Sequence, residues 1–333
     1  MENARAGWAA VCTLVIAALA GSVSGSPKDI PVPQIDGQWW SAAGNPMDHK
    51  YATAKQEVVD FAVWQAADGS WQLWSCIRGT TAGGKDGKTR FFYRWQGKHL
   101  TDPNWTPMGI AMEADPALGE TAGGLQAPHV IKLGDIWHMV YGDWVNICHA
   151  TSKDGKTFTR VLQPNGRTGM FSEGPAANTR DIMLLPDDGK WYAYYTCHPN
   201  SQGMDCLRTT TDFRQWSDST VVAFGGQAGT GPWSAECPHV VKLGDASFYL
   251  FRTQSYGNPE KGDIRKRGPA RTSIYHSADP AMFGINQDER YFLCTLPVAA
   301  PEIVLHEDQY YIAALNEDAL DGIRIAKLKW VRL

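Results

Sequence analysis

Three carboxylic acids occupy positions where an acid is unexpected. Asp60 interrupts the apolar run VVDFAV, Asp181 precedes the run IMLL, and Glu236 precedes a Cys-Pro dipeptide. Carboxyls that are crowded together and partly desolvated acquire separated pKa values, so that one keeps a proton while another is ionised. General acid and base catalysis requires that division. A single acid at a strand start is usually a solvated turn residue, so the chemistry depends on whether the fold brings these acids together.

A repeated sequence unit predicts how they are positioned. Each unit has a polar or Pro-containing start, a short apolar strand, a turn with Gly or Asp, and an aromatic-rich strand. The five units begin at Glu57, Gln126, Asn178, Glu236 and Ala300, about 60 residues apart. This period leaves room for four short strands per unit. It predicts an all-β fold, a five-bladed β-propeller with four-stranded antiparallel blades. A two-sheet sandwich does not explain the period, and solenoid repeats are shorter.

The first strands of the blades in a propeller line one central axis and start at the same mouth. Titratable groups stand near all five starts, and we expect them to share one funnel: Asp60, His129, Asp181, Glu236 with His239, and Glu302. Glu57 is an alternative to Asp60 in the first blade. His129 and His239 could instead be packed core histidines.

Composition narrows the class of protein. The chain has 333 residues, of which 43% are apolar, and its net charge is −4. The apolar fraction is too high for a disordered chain. The weak acidic balance argues against a nucleic-acid partner, because binding to phosphate needs a basic surface. Fourteen Trp residues favour an all-β protein with aromatic-lined clefts.

The N-terminal segment resembles a targeting signal. Arg5 precedes an apolar run from Trp8 to Ala20, and small residues follow. This pattern predicts a secretory signal peptide over residues 1–25, too short to span a bilayer. We expect a secreted or periplasmic protein without a membrane partner after cleavage, with residues 26–333 forming a single domain.

Cysteine usage is compatible with export. Six cysteines follow the predicted signal, and Cys197 and Cys206 flank a turn where they could form a disulfide or stay as buried thiols. No CxxC pair occurs, so a paired-cysteine zinc site is not indicated.

The repeated motifs resemble those of the five-bladed propeller glycoside hydrolases, meaning families 43 and 62, families 32 and 68, and family 117. Arg180-Asp181 and Glu236-Cys237 are similar to the Arg-Asp and Glu-Cys motifs of family 32. Glu-x-Pro-His at Glu236–His239 and Ala-Pro-His at Ala127–His129 are similar to family 43. The closest likeness is to a family 43-like or family 32-like catalytic domain. Two departures are the Phe after Asp60 and the Ile after Asp181, where these families usually have Pro or another motif.

The resemblance implies three catalytic roles. Asp60 is expected to be the general base of an inverting enzyme or the nucleophile of a retaining one. Asp181 is expected to orient the acid and tune its pKa, or to stabilise charge on the sugar. Glu236 is expected to be the general acid that protonates the leaving oxygen.

Further residues are expected to bind substrate. Sugar rings stack on aromatic side chains, and Trp144 and Trp233 are the best candidates because they lie outside the predicted strands. Arg180, Arg252, His129, His239 and Glu302 complete the expected substrate-binding set. Trp39, Trp40 and Tyr256 are further stacking candidates. The basic stretch Glu260–Arg271 is either a solvated loop or a lip for uronic or sulfated sugars.

These expectations combine into one functional hypothesis. The chain is expected to be a secreted glycoside hydrolase that cleaves a terminal glycosidic bond in a plant or algal type of oligosaccharide or polysaccharide. No cofactor and no metal are expected, because no local ligand motif occurs. The alternatives are a glycoside phosphorylase on the same scaffold and a non-catalytic carbohydrate-binding propeller.

Overall fold

The computed structural model describes residues 30–84, 87–255, 270–316 and 319–332. Within them the chain is all β, with short 3-10 turns and no α-helix. Blade one contains β2 (Glu57–Gln65), β3 (Trp71–Arg78), β4 (Phe91–Gly97) and β5 (Thr106–Met112). Blade two contains β6 (Gln126–Leu133), β7 (Ile136–Gly142), β8 (Ile147–Ser152), β9 (Thr159–Arg160) and β10 (Gly169–Phe171).

The remaining blades follow in chain order. Blade three contains β11 (Arg180–Asp187), β12 (Lys190–Cys197), β13 (Met204–Thr210) and β14 (Thr220–Phe224). Blade four contains β15 (Glu236–Lys242), β16 (Phe248–Ser255), β17 (Ala270–Ser277) and β18 (Phe292–Leu296). Blade five contains β19 (Glu302–His306), β20 (Gln309–Leu315), β21 (Gly322–Val331) and β1 (Val32–Gly44). The predicted five-bladed propeller is confirmed.

The ring is closed by strands from the two ends of the described chain. β1 pairs antiparallel with β21, from Val32 opposite Val331 to Gly44 opposite Gly322. The sequence repeat assigned the last strand to the fifth unit but gave the first strand no place. The pairing shows that the strand preceding the repeats is the outermost strand of blade five. Closure of this kind ties the first and last blades together through backbone hydrogen bonds.

Five apolar clusters pack between neighbouring blades and hold the ring. Between blades one and two, Trp64 and Trp74 pack with Met139 and Tyr141. Burying aromatic and aliphatic faces in this way supplies the main stabilising free energy of a propeller. The high tryptophan content is therefore partly structural, since Trp64, Trp71, Trp74 and Trp137 are all buried.

One backbone feature recurs at the inner end of every blade. The equivalent residue of each blade, within the first strand or just before it, has a left-handed φ between 38° and 52°, at Asp60, Ala127, Asp181, Cys237 and Ala300. In four blades the strand register shifts there, as in a β-bulge. A bulge turns one side chain out of the alternating pattern and bends the strand. We call these five residues the upper ring.

The bulges correct one expectation from the sequence. The repeat aligned His129, His239 and Glu302 with Asp60 and Asp181. The structure places these three residues two positions further along their strands, level with Ala62 and Met183. We call the set Ala62, His129, Met183, His239 and Glu302 the lower ring. The sequence alignment failed here because it matched the apolar runs, which begin directly after the bulge at Asp60 and Asp181 but three residues after the bulge at Ala127.

Some expectations lie outside the described residues. These are the signal peptide over residues 1–25, Tyr256, and the basic stretch from Glu260 up to Arg271, of which only the last two residues are described. Within the described part of the chain, no helix has the length and apolar character needed to cross a membrane.

Candidate active site

The three predicted catalytic acids line one cavity of about 190 Å³ at the mouth of the channel. Asp60 and Asp181 are upper-ring residues of blades one and three, and Glu236 immediately precedes the upper-ring residue of blade four. Carboxylate oxygens of Asp60 and Asp181 and the Cys237 Sγ all lie within 4.8 Å of one another. The expected convergence of acids from separate blades therefore occurs in the structure.

Asp181 is the most enclosed of the three acids, with 6% of its surface exposed. Its Oδ2 accepts a hydrogen bond from the backbone N–H of Cys237 at 3.2 Å, and the Arg180 Nε lies 3.4 Å away. No described residue hydrogen-bonds to its buried Oδ1. Burial raises the pKa of Asp181, and the neighbouring Arg180 guanidinium opposes that rise.

Asp60 lies on the other side of the channel and is partly buried. Its Oδ1 accepts a weak hydrogen bond from the Cys237 thiol, with 3.8 Å between sulfur and oxygen. Burial raises the pKa of Asp60, and the negative charge of Asp181 raises it further. Two acids at such short range do not both ionise readily, so the pair is suited to keeping one proton.

Arg180 connects two of the acids. Its Nη2 donates to Glu236 Oε1 at 2.7 Å, while its Nε faces Asp181. The same guanidinium also faces the ring of His198, with nitrogen distances of 3.2 and 3.4 Å. Burial and the adjacent Arg180 lower the pKa of His198 to about 2, so this ring is neutral and can accept from the guanidinium. Arg180 thereby fixes Glu236 relative to Asp181.

Arg78 and His198 are cavity residues that sequence reasoning missed. Together with the predicted Trp144, they stand at equivalent positions at the ends of the second strands. Each lies two residues beyond the partner of the residue that precedes the upper ring. Arg78 and His198 line the cavity, together with Arg90 and the expected Trp233. Counting two residues from each paired position would have found the strand-end residues. No repeat signal marks Arg90, which follows the β3–β4 turn.

Trp144 lies beside this cavity without lining it, and its ring contacts two cations. The Arg90 guanidinium carbon lies 5.0 Å from the centre of the Trp144 ring, and the Lys88 amine lies 5.6 Å from it. Trp144 also has a φ of 83°, an unusual conformation for a bulky residue. Its ring therefore supports the cationic side chains at the rim.

Arg252 does not lie in the cavity, which corrects its expected place in the substrate-binding set. It is completely buried, and its Nε and Nη2 donate to the carbonyl of Ser234 at 3.0 and 2.9 Å. Buried Asp205 lies 3.8 Å from the same Nε. Because side chains alternate along a strand, Arg252 points away from the face that carries its neighbour Thr253 into the cavity.

The polar residues of the lower ring form a second cluster deeper in the channel. His129 Nδ1 and His239 Nδ1 lie 3.5 and 3.7 Å from Glu302 Oε2. The backbone N–H of Ile303 donates to His239 Nε2 at 3.3 Å, which puts the ring proton on Nδ1, facing Glu302. Burial lowers the pKa of His239 to about 4.

The ligand atoms of His129, His239 and Glu302 lie close enough together for a metal ion, and two imidazoles and a carboxylate are common metal ligands. A metal needs a nitrogen lone pair, and the His239 nitrogen that faces the cluster carries the ring proton. The geometry fits a histidine–carboxylate cluster better than a cation site. The absence of a metal and of a cofactor stays a prediction.

The structure places the two cysteines of the predicted disulfide next to each other. Cys197 and Cys206 are both buried, and their sulfur atoms lie 2.6 Å apart across the β12–β13 hairpin. Their disulfide stays a prediction.

The comparisons with known proteins agree with the fold. A thermostable family-43 glycoside hydrolase is similar in structure with a TM-score of 0.56, 16% identity, and 87% and 92% of the two chains covered. The Bombyx mori family-32 β-fructofuranosidase BmSUC1 gives 0.55 and 15%, covering 92% of this chain and 64% of that one. A structure of the family-130 mannoside phosphorylases, a family said to contain hydrolases, gives 0.57 and 12%, covering 86% and 94%.

No protein-family model matches the chain, and no curated protein matches it in sequence. The molecule thus has the fold of the five-bladed propeller glycoside hydrolases, as the motifs suggested. At these identities the likeness establishes the fold alone.

Proposed function

We propose that this protein is a glycoside hydrolase. One observation carries the proposal: Asp60, Asp181 and Glu236 come from three different blades and converge in a single cavity at the channel mouth. Glycosidic cleavage needs a protonated carboxyl at the leaving oxygen and an ionised carboxylate across the sugar. The propeller hydrolases that share this fold support the same chemistry.

The residues divide into roles that follow from their contacts. Glu236 is the proposed general acid, because Arg180 orients it at the cavity wall and 15% of its side chain is exposed. Asp60 on the opposite side is the proposed base or nucleophile. Asp181 lies next to Arg180, and its negative charge raises the pKa of Asp60.

The proposed substrate is a terminal sugar of a plant or algal type of oligosaccharide or polysaccharide. Trp233 lines the cavity next to Glu236 and provides an apolar face for a sugar ring. A cavity of about 190 Å³ holds roughly one ring rather than a long stretch of chain. This size supports cleavage at a chain end.

The test is hydrolysis of a panel of aryl arabinofuranosides, xylosides, galactosides, mannosides and fructans. Glu236→Gln should lose at least about a hundredfold in kcat, since general acid catalysis contributes that much. The loss of kcat should be smallest for aryl glycosides whose leaving group needs no proton. Glu307→Gln is the matched control, because its carboxylate is largely exposed and distant from the channel in the fold. If the wild type binds glycans without cleaving any, the protein is the non-catalytic carbohydrate-binding alternative.

A phosphorylase is a second candidate, favoured by the cations of the cavity. Arg78, Arg90 and Arg180 line the same space as the acids, and a phosphorylase must bind phosphate where a hydrolase binds water. The similarity to the family-130 structure supports it further. Formation of a sugar 1-phosphate only when inorganic phosphate is supplied would establish phosphorolysis and reject simple hydrolysis.

Export is also proposed, on the basis of the N-terminal pattern. Expression of the full chain in a bacterium that secretes proteins should give a product lacking residues 1–25 or a closely similar stretch. Mass spectrometry of the intact product checks this, and an uncleaved chain in the cytoplasm would contradict it.

A further inference from the structure

The charges around the cavity are unevenly paired. Three carboxyls and three guanidinium groups line it. Arg180 is committed to Glu236 and Asp181, at 2.7 and 3.4 Å. On the opposite wall, Arg78 binds Glu57 at 2.5 Å, and Glu57 itself does not line the cavity. The blade-one wall therefore presents cations to the same space as Asp60.

Arg90 is the unpaired member of this wall. Among the described residues, no carboxylate lies within 4.0 Å of the Arg90 guanidinium, the limit for an ion pair. Its Nε makes a long hydrogen bond of 3.4 Å to the carbonyl of Gly87. The Arg90 guanidinium carbon lies 5.0 Å from the centre of the Trp144 ring, within the range of a cation–π contact. Lys88 lies against the same ring and adds a further positive charge. A cation held by an aromatic ring and lacking a carboxylate partner is prepared to receive an anion from outside.

Catalysis removes one negative charge from the cavity. A general acid must be protonated before it reacts, so one of the three carboxyls is then neutral. With a neutral sugar bound, Arg90 is opposed mainly by the charge of Asp60, which lies beyond ion-pair distance. A carboxylate or sulfate on the substrate would accept two parallel hydrogen bonds from the planar guanidinium of Arg90.

We propose that the wall formed by Arg78 and Arg90 binds an anionic substituent, a carboxylate or a sulfate ester, on the sugar that lies beside Asp60. The inference rests on the proposed glycoside hydrolase function and gives its substrate class: a uronic acid or a sulfated sugar. Inorganic phosphate could use the same chemistry as a co-substrate, and the experiment separates the two sources.

The experiment compares matched aryl glycosides that differ only in bearing a C6 carboxylate or a C6 hydroxymethyl group, with sulfated and unsulfated galactosides as a second pair. The wild type should favour the anionic member in kcat/KM. Arg90→Gln should lower kcat/KM for the anionic member by about ten- to a hundredfold more than for the neutral one, as expected for the loss of charged hydrogen bonds. Arg90→Lys should restore part of the loss, because it keeps the charge but not the fork.

The control is Arg214→Gln, which removes an exposed arginine of the β13–β14 turn. It should leave the ratio between the paired substrates unchanged. Equal losses on both members in Arg90→Gln would overturn the inference, even if hydrolysis is confirmed. A phosphate-dependent turnover of neutral glycosides that disappears in Arg90→Gln would also overturn it, since the bound anion would then be phosphate.

A binding measurement separates this inference from the proposed function. Titration calorimetry with glucuronate and galacturonate oligosaccharides, using wild type and Arg90→Gln, needs no turnover. Arg90-dependent binding of acidic oligosaccharides without cleavage would support the anion site and reject the hydrolase. Failure of acidic oligosaccharides to bind, together with cleavage of neutral glycosides, would reject the anion site alone.

Discussion

The upper and lower rings of the channel come from the same five strands but carry different chemistry. In the upper ring, blades one, three and four supply Asp60, Asp181 and Cys237, while blades two and five supply alanine. In the lower ring, the polar groups come from blades two, four and five, and blades one and three supply Ala62 and Met183. The upper cluster opens to the cavity of about 190 Å³. In the lower cluster both imidazoles are buried, and Glu302 keeps 17% of its side chain exposed.

This difference shows how a repeated unit is made asymmetric. Five acids within a few ångströms of one another would be strongly destabilising, because each would have to be desolvated beside like charges. Placing alanine or methionine in the remaining blades spaces the polar groups around the axis. The upper ring thus concentrates acids where substrate can enter, and the lower ring pairs a carboxylate with two imidazoles inside the protein.

The largest expected effect separates the two rings by activity. Asp60→Asn should lower kcat by about a thousandfold, within the range for removing a catalytic acid or base. His129→Gln in the lower ring should lower kcat less than about tenfold, since this residue has no access to the cavity mouth. Steady-state kinetics on the best glycoside, with circular dichroism to check folding, measures both. Similar losses in the two variants would contradict the division of roles.

The next largest effect is a difference in the free energy of unfolding between variants of the lower ring and of the upper ring. Glu302→Ala should destabilise the fold by about 1–3 kcal/mol, because it leaves two buried imidazoles facing each other without their carboxylate. Asp60→Ala should be neutral or stabilising, since it removes a partly desolvated charge next to Asp181. Urea unfolding at pH 7 gives both free energies. A larger destabilisation from Asp60→Ala would reverse the comparison.

A pH-dependent effect concerns Asp205, the buried acid that lies 3.8 Å from Arg252. Burial raises the pKa of Asp205 to about 7, above its ordinary value of 3.8. Between those values the folded chain holds a proton that the unfolded chain has released, so this residue makes the free energy of unfolding fall as pH rises from about 4 to 7. Asp205→Asn should remove that contribution. Unfolding of both proteins at pH 4.5, 5.5, 6.5 and 7.5 tests the prediction, and parallel curves would contradict it.

The smallest effect concerns the shared bulge. Ala300 has a φ of 47°, which costs an L-residue about 1–2 kcal/mol relative to glycine. Ala300→Gly should relieve this strain but lose about 0.5–1 kcal/mol through the greater freedom of the unfolded chain. The expected result is a gain of up to about 1.5 kcal/mol in the free energy of urea unfolding. A clear loss of stability would show that the Ala300 methyl group is needed for packing at the ring.

Much of this molecule follows from its sequence, because hydrophobic alternation and aromatic strands are local properties of the chain. The five units, the all-β propeller and the three acids were all predicted from the repeat and the motifs. Trp233 was placed correctly beside Glu236, since both lie at the start of one blade. Periodicity of this kind survives in the sequence because every blade must bury the same faces.

The tertiary structure decided which residues share a level of the channel. The bulge that sets this level occurs at Asp, Ala and Cys residues instead of glycine, so no residue type announces its left-handed backbone. For that reason His129, His239 and Glu302 were assigned two positions too high. Strand alternation turned Arg252 into the protein interior, and a turn outside the repeat brought Arg90 to the cavity. Register and long-range pairing depend on contacts between distant segments, and these exist only once the ring has closed.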